Sequence, residues 1–406
     1  MENQFLKEKL SGQYRNIPAS FVRNILNVAG NREFISFAGG LPNPEFFPVA
    51  ELAESARVVL EQSSRSILQY AGSLGYYPLR EWIAMRYSKK YRMDISPEQV
   101  VITNGSQQAI DILAKLLIDK GDGVILEKPS YLGAIQALSA YRPLFREVEL
   151  EEDGANLAEV ESLFLNEDIK LMYAVPNAQN PSGVSYSDEK RRDLALLLRK
   201  YDQFFLEDDP YNEICFEHEF PDPVRKHAPE HVAWTGSFSK MVAPGLRNGW
   251  VVLPRELVSH FDKAKQSTDL NPNNLTQYIL HHYLTHYDLD GHLSRIRKAY
   301  SAQCRFMAEM ITRYLPEEVR ATSPSGGMFI WLTLPASVSS DHLISRTMEK
   351  GVIFVPGTSF YVSGQGSRHI RMNFTNCGFP DIEKGVRIMG EEMRKIIAGS
   401  GSPVAC

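Results

Sequence analysis

The chain has 406 residues, 43% hydrophobic and 23% charged, enough for two or three domains with sizeable cores. A formal net charge of −5 provides no basic excess for a nucleic-acid partner, and no apolar stretch approaches the length of a membrane span. Met1–Leu10 alternates charge where a signal peptide would need an apolar core, and Cys215, Cys304, Cys377 and Cys406 form no CxxC pair. Both point to a cytoplasmic protein with buried, inert thiols.

Apolar runs that read as strands end repeatedly in polar clusters. Val100–Thr103 leads into Asn104-Gly-Ser-Gln-Gln-Ala109, and Val124–Glu127 into Lys128-Pro-Ser-Tyr131. Lys170–Val175 runs into Pro176-Asn-Ala-Gln-Asn180-Pro-Ser-Gly183, and Phe204–Asp208 into Asp209-Pro-Tyr211. A fifth run, Val232–Gly236, precedes Ser237-Phe-Ser-Lys240, with Arg247 seven residues further on. Strands separated by helix-length segments predict βαβ units and a mostly parallel sheet, whose ligands bind beyond the carboxyl ends of the strands.

A long helix starts around Gly291, with Leu293, Ile296, Tyr300, Met307, Ile311 and Tyr314 at helical spacing, and is expected to bridge two lobes. Gly327–Leu332, Val352–Val355 and His369–Phe374 follow as strands. A last helix carries Ile382, Val386, Met389 and Met393 on one face, and Gly399–Pro403 reads as a mobile tail. The expected division is an N-terminal segment over 1–49, a large domain over 50–285 and a small α+β domain over 286–406.

Lys240 places an amine beside hydroxyls and a guanidinium, which suits a phosphorylated aldehyde. Ser106 and Gln107 open a helix whose backbone N–H groups and dipole favour an anion, although Ser106 also reads as a simple cap. Asp208 or Asp209 could merely cap a helix, Tyr211 could be core and Asn180 a turn residue. His282 and His286 have the i,i+4 spacing of a metal pair, but no third ligand is evident and both read as helix surface. No GxGxxG or GxxxxGK[ST] pattern indicates a dinucleotide or nucleotide triphosphate.

Taken together, Tyr70, Asn104-Gly-Ser-Gln107, Tyr131, Asn180-Pro-Ser-Gly183, Asp208-Asp-Pro-Tyr211, Ser237-Phe-Ser-Lys240, Arg247 and Arg371 resemble the class I/II aminotransferases of fold type I, which use pyridoxal 5′-phosphate (PLP). The resemblance covers nearly the whole chain. Gly-Ser-Gln-Gln and Phe37-Ala-Gly-Gly-Leu-Pro-Asn43 are similar to the α-aminoadipate/kynurenine branch. It implies an α/β fold of the aspartate aminotransferase type, a large domain with a mostly parallel central sheet plus a smaller α+β domain. Lys240 would hold PLP covalently and shuttle a proton, and Asp208 would face the pyridine nitrogen. Tyr211 and Asn180 would bond the phenolic oxygen, and Tyr131 would stack on the ring.

By the same resemblance Ser106, Gln107, Ser237, Ser239 and Arg247 take the phosphate, with Tyr70 reaching into the neighbouring subunit of a homodimer with shared sites. Arg371, assisted by Asn180, takes the substrate α-carboxylate, with Arg368 a rival, and Gly39 brings backbone close to the substrate. The implied reaction is a two-stage transfer from an L-amino acid to a 2-oxo acid, 2-oxoglutarate by analogy. Ile17–Arg23 resembles the mobile helix that shapes specificity in this branch, leaving aromatic, aminoadipate-like, branched and methionine-like donors open. β-Elimination, decarboxylation and a non-catalytic PLP-binding effector role stay as alternatives, although the N-terminal segment leaves no room for the winged-helix domain such effectors carry.

Overall fold

The structure is a computed structural model that describes residues 9–15, 17–18, 34–217 and 219–400. Its centre is an eight-stranded sheet. In spatial order the strands are Val100–Thr103, Gly249–Val252, Val232–Ser237, Phe205–Asp208, Ile169–Ala174, Gly123–Lys128, Leu144–Glu151 and Gly154–Ala155. The run from Val232–Ser237 to Leu144–Glu151 is parallel throughout, and Gly249–Val252 is antiparallel to both its neighbours. Helices cover both faces, so Phe205–Asp208 and Val232–Ser237 are buried along their whole length.

Leu144–Glu151 is a strand that the sequence pattern did not yield. It lies near the edge of the sheet, where only one residue, Val148, is fully buried, so charged side chains interrupt its apolar character. Val352–Val355, expected as one strand, is divided between two sheets. Val352–Ile353 pairs in parallel with Ile35–Ser36, whereas Val355–Pro356 pairs antiparallel with His369–Asn373. Phe354, fully buried, turns into the core between them, and Pro356 has no N–H to continue a ladder.

The second sheet runs Arg320–Ala321, Phe329–Thr333, His369–Asn373 and Val355–Pro356, all antiparallel. Helix Leu289–Tyr314 joins the two cores: Leu293 packs in the cluster of Trp234 and Trp250, while Ile296, Tyr300 and Met307 pack with Ile330 and Met372. Helix Phe379–Ser400 buries Ile382, Val386, Met389 and Met393 in that second core. It also takes in Gly399 and Ser400, which the sequence pattern assigned to a tail; the rest of that tail and Cys406 lie outside the described residues. Cys215, Cys304 and Cys377 are buried, and burial pushes the thiols of Cys304 up to about 12 and Cys377 to about 11.

Trp234 and Trp250 meet edge to face at 4.8 Å beside the strand that leads to Lys240. Each such pair adds about 0.5–1.5 kcal/mol beyond area burial. Gly236 is required there, because a Cβ would sit 2.3 Å from the Trp250 ring. The packing thus anchors the strand end from which Ser237, Ser239 and Lys240 project.

Candidate active site

A cavity of about 320 Å³ opens where the strands Val100–Thr103, Phe205–Asp208 and Val232–Ser237 end. Lys240, Asp208, Tyr211, Asn180, Tyr131 and Arg371 all line it, together with Ser106, Gln107, Ser237, Ser239 and Arg247. Five strand-end clusters and two residues of the second sheet, Phe329 and Arg371, therefore face a single space.

The Lys240 amine donates to the Gly40 carbonyl at 2.7 Å. Burial, with Arg371 and Arg247 as nearby positive charges, pushes it down to about 8, so a larger neutral fraction is available near neutral pH than for a surface lysine. Asp208 closes its strand and is buried. Its Oδ2 accepts from the Tyr173 hydroxyl at 2.8 Å, whereas Oδ1 has no partner. Burial pushes this carboxyl up to about 7, against the Tyr173 hydrogen bond and with a smaller contribution from Asp209. A buried acceptor left open in this way calls for a cationic donor.

Arg371 lies on strand His369–Asn373 opposite Trp331 and Val355. It donates to Asn180 Oδ1 at 2.8 Å and to the Ala38 carbonyl at 2.6 Å, while Nε has no partner. The guanidinium sits 4.2 Å from the Phe329 ring centroid and 5.1 Å from that of Phe360. Burial lowers it to about 10, still charged at neutral pH. Arg368 instead donates to the Leu334 carbonyl and does not line the cavity.

At the opposite end, helix Ser106–Leu117 begins at the cavity wall behind Gly105, whose φ is 78°. A Cβ on Gly105 would stand 2.5 Å from Arg247 Nη2, so glycine lets the turn and the guanidinium approach. Arg247 donates to the carbonyls of Asn104 and Pro244, at 3.1 and 3.4 Å. Gln107 donates to the Gly133 carbonyl at 2.6 Å, so its side chain is engaged and its backbone N–H remains the helix-start donor.

The carbonyls of Ala38 and Gly40 reach Arg371 and Lys240, and Gly40 lines the cavity while Gly39 does not. Tyr70 is 80% exposed and does not line the cavity of its own chain. Of the proposed specificity helix only Ile17 and Pro18 are described; Ala19–Arg23 lie outside the described residues. His282 and His286 stack at 4.0 Å, with His282 Nδ1 at 3.0 Å from Ser55 Oγ, and no metal-capable cluster occurs among the described residues.

Several residues that shape the site were missed from sequence. Tyr173 supports Asp208, and buried Glu127 accepts from Tyr186, Gln179 and the Val175 N–H. Gln179 also donates to the Pro129 carbonyl, tying the Tyr131 loop to the Asn180 loop. A carboxylate ending an apolar run was the available signal, because such a group must be exposed or paired.

The model of the family "aminotransferase class I and II" matches residues 38–387. The chain belongs to this family. The aminotransferase is 36% identical to a 2-aminoadipate transaminase from Thermus thermophilus, over 94% of this chain and 96% of that one. It is 33% identical to an aromatic-amino-acid aminotransferase from Thermococcus litoralis, over 97% of this chain and 94% of that one. A solved kynurenine aminotransferase from Pyrococcus horikoshii, in complex with PMP, matches with a TM-score of 0.92 and 34% identity, over 97% and 98% of the two chains. The aminotransferase accordingly has the PLP-dependent transferase fold, works with PLP and falls in the aromatic, aminoadipate and kynurenine branch.

Proposed function

We propose that this aminotransferase moves the amino group of an L-amino acid to 2-oxoglutarate in two stages, in a cytoplasmic homodimer with shared sites. One observation carries the residue assignments: the Lys240 amine opens into the same cavity as the unpartnered Asp208 Oδ1 and the Arg371 guanidinium. The residues fit PLP at each of its polar edges. Asp208 would hold the pyridine nitrogen, and Tyr211 and Asn180 the phenolic oxygen. Ser106, Gln107, Ser237, Ser239 and Arg247 would take the phosphate, and Tyr131 would lie against the ring. Tyr70, exposed on this chain, is the residue a second copy would receive at its phosphate site.

The cofactor, when bound, supplies a carbonyl that receives the substrate amine and a ring that spreads the charge developing at Cα. Lys240 would fix the group in the resting protein and, once displaced, would carry a proton between the substrate Cα and the cofactor's C4′, outward in the first stage and back in the second. Asp208, ionised by its cationic partner, keeps the ring nitrogen charged. Arg371 presents a fork to the α-carboxylate, held in place by Asn180 and the Ala38 carbonyl. The proposed domains, 1–49, 50–285 and 286–406, put Arg371 and Lys240 on different lobes, so closing the lobes brings carboxylate grip and base together and excludes water.

A screen of amino donors against 2-oxoglutarate, run beside Lys240→Ala, tests this reading. The variant is expected to lose the borohydride-trappable bond and about a thousandfold or more of transfer. Release of ammonia or carbon dioxide in place of a matched 2-oxo acid and glutamate, or transfer unchanged in the variant, would sink it.

A further inference from the structure

Asn104 and Gln108 flank the anion turn, yet the reading above gives their side chains nothing to do. Both converge on Asp269 Oδ2, Asn104 Nδ2 at 3.0 Å and Gln108 Nε2 at 2.7 Å. Gln108 Oε1 also accepts the Asn104 N–H at 2.8 Å, so the turn is clasped from within. Asp269 ends helix Val258–Asp269, and Lys265, fully buried one turn earlier, donates to both carboxylate oxygens at 2.7 and 2.8 Å. The Asn104 carbonyl in turn receives Arg247 Nη2.

Local helix energetics do not explain this arrangement, because a carboxylate at a helix C-terminus opposes the helix dipole. The next residue, Leu270, adopts φ 62°, which is uncommon for a leucine. A charged acceptor does, however, suit two amide donors that share one oxygen. Its charge alone would repel an incoming phosphate, and the buried lysine cancels that repulsion while gaining the partner it needs.

We propose that Asp269, neutralised by Lys265, is a positioning residue for phosphate recognition: through Asn104 and Gln108 it fixes the turn that opens helix Ser106–Leu117, and through the Asn104 carbonyl it aims Arg247. The proposal rests on the anion-site assignment given above.

The test compares binding of PLP and of pyridoxal, which lacks the phosphate, to cofactor-free protein by absorbance titration, with Tm recorded for each variant. Wild-type protein is expected to prefer PLP. Asp269→Asn and Gln108→Met are expected to cut that preference about tenfold or more, with pyridoxal affinity nearly unchanged. Where Asp269→Asn fails to fold because Lys265 is left unpaired, Gln108→Met and the double variant Lys265→Met/Asp269→Asn give the reading. Equal weakening towards both ligands marks a merely structural role and overturns the proposal, as does an unchanged ratio. Wild-type protein that binds pyridoxal as tightly as PLP overturns the anion-site assignment itself, and this inference with it.

Discussion

The wall around Ser106 and Arg247 and the floor around Asp208 handle charge by different means. At the wall, donors come from a helix start, two serines and a guanidinium that is exposed and already hydrogen-bonded to backbone carbonyls. At the floor stands one carboxylate, buried, with a single donor on one oxygen and none on the other. Many moderate donors make a grip that degrades gradually when one is lost. A lone buried charge does its work only when its counterpart is present, and its removal has a large effect.

Asp208→Asn breaks the floor most directly. Asparagine keeps an acceptor for Tyr173 but removes the charge, so transfer is expected to fall about a hundredfold to a thousandfold while cofactor retention changes little. Parallel loss of retention and turnover would show that the floor acts mainly by binding. Arg247→Ala should invert the pattern, with PLP affinity weakened roughly thirtyfold and turnover at saturating cofactor largely kept. Equilibrium dialysis beside saturated rate measurements separates the two.

The smallest expected effect is one of stability. In cofactor-free protein the Asp208 carboxyl sits near 7 against an ordinary 3.8, so between those values the folded state binds more protons than the unfolded one. Its contribution to stability is therefore present at low pH and lost as pH rises through 7. Asp208→Asn is expected to raise the Tm of cofactor-free protein by a few degrees at pH 8, with the gap narrowing through pH 5 and closing only towards pH 4. A gap that widens on acidification would contradict the assigned direction.

The strand ends were legible because an apolar run cut off by a polar cluster survives in one dimension, as at Phe205–Asp208 and Val232–Ser237. Lys240, Asp208, Arg247 and Arg371 were legible by chemistry and by resemblance, and the structure brings all of them to one cavity. Leu144–Glu151 was not, since a strand near the sheet edge mixes charge with apolar residues. That Gly40 lines the cavity and bonds Lys240 depends on how the chain folds back, which composition does not carry. Tyr173 was hidden inside an apolar run, the partners of Glu127 lie on other segments, and Asp269 stands 165 residues from the Asn104 it holds. Supporting partners of that kind become visible only once the chain has folded back on itself.

The bond between the Lys240 amine and the Gly40 carbonyl makes the stretch just after Ile35–Ser36 a gauge of occupancy. When that nitrogen is committed elsewhere it can no longer supply the same hydrogen, and Gly40 must turn to water or to an incoming molecule. Amide exchange around residues 38–41 should thus report loading from a place distant in sequence, with no dye attached to the protein.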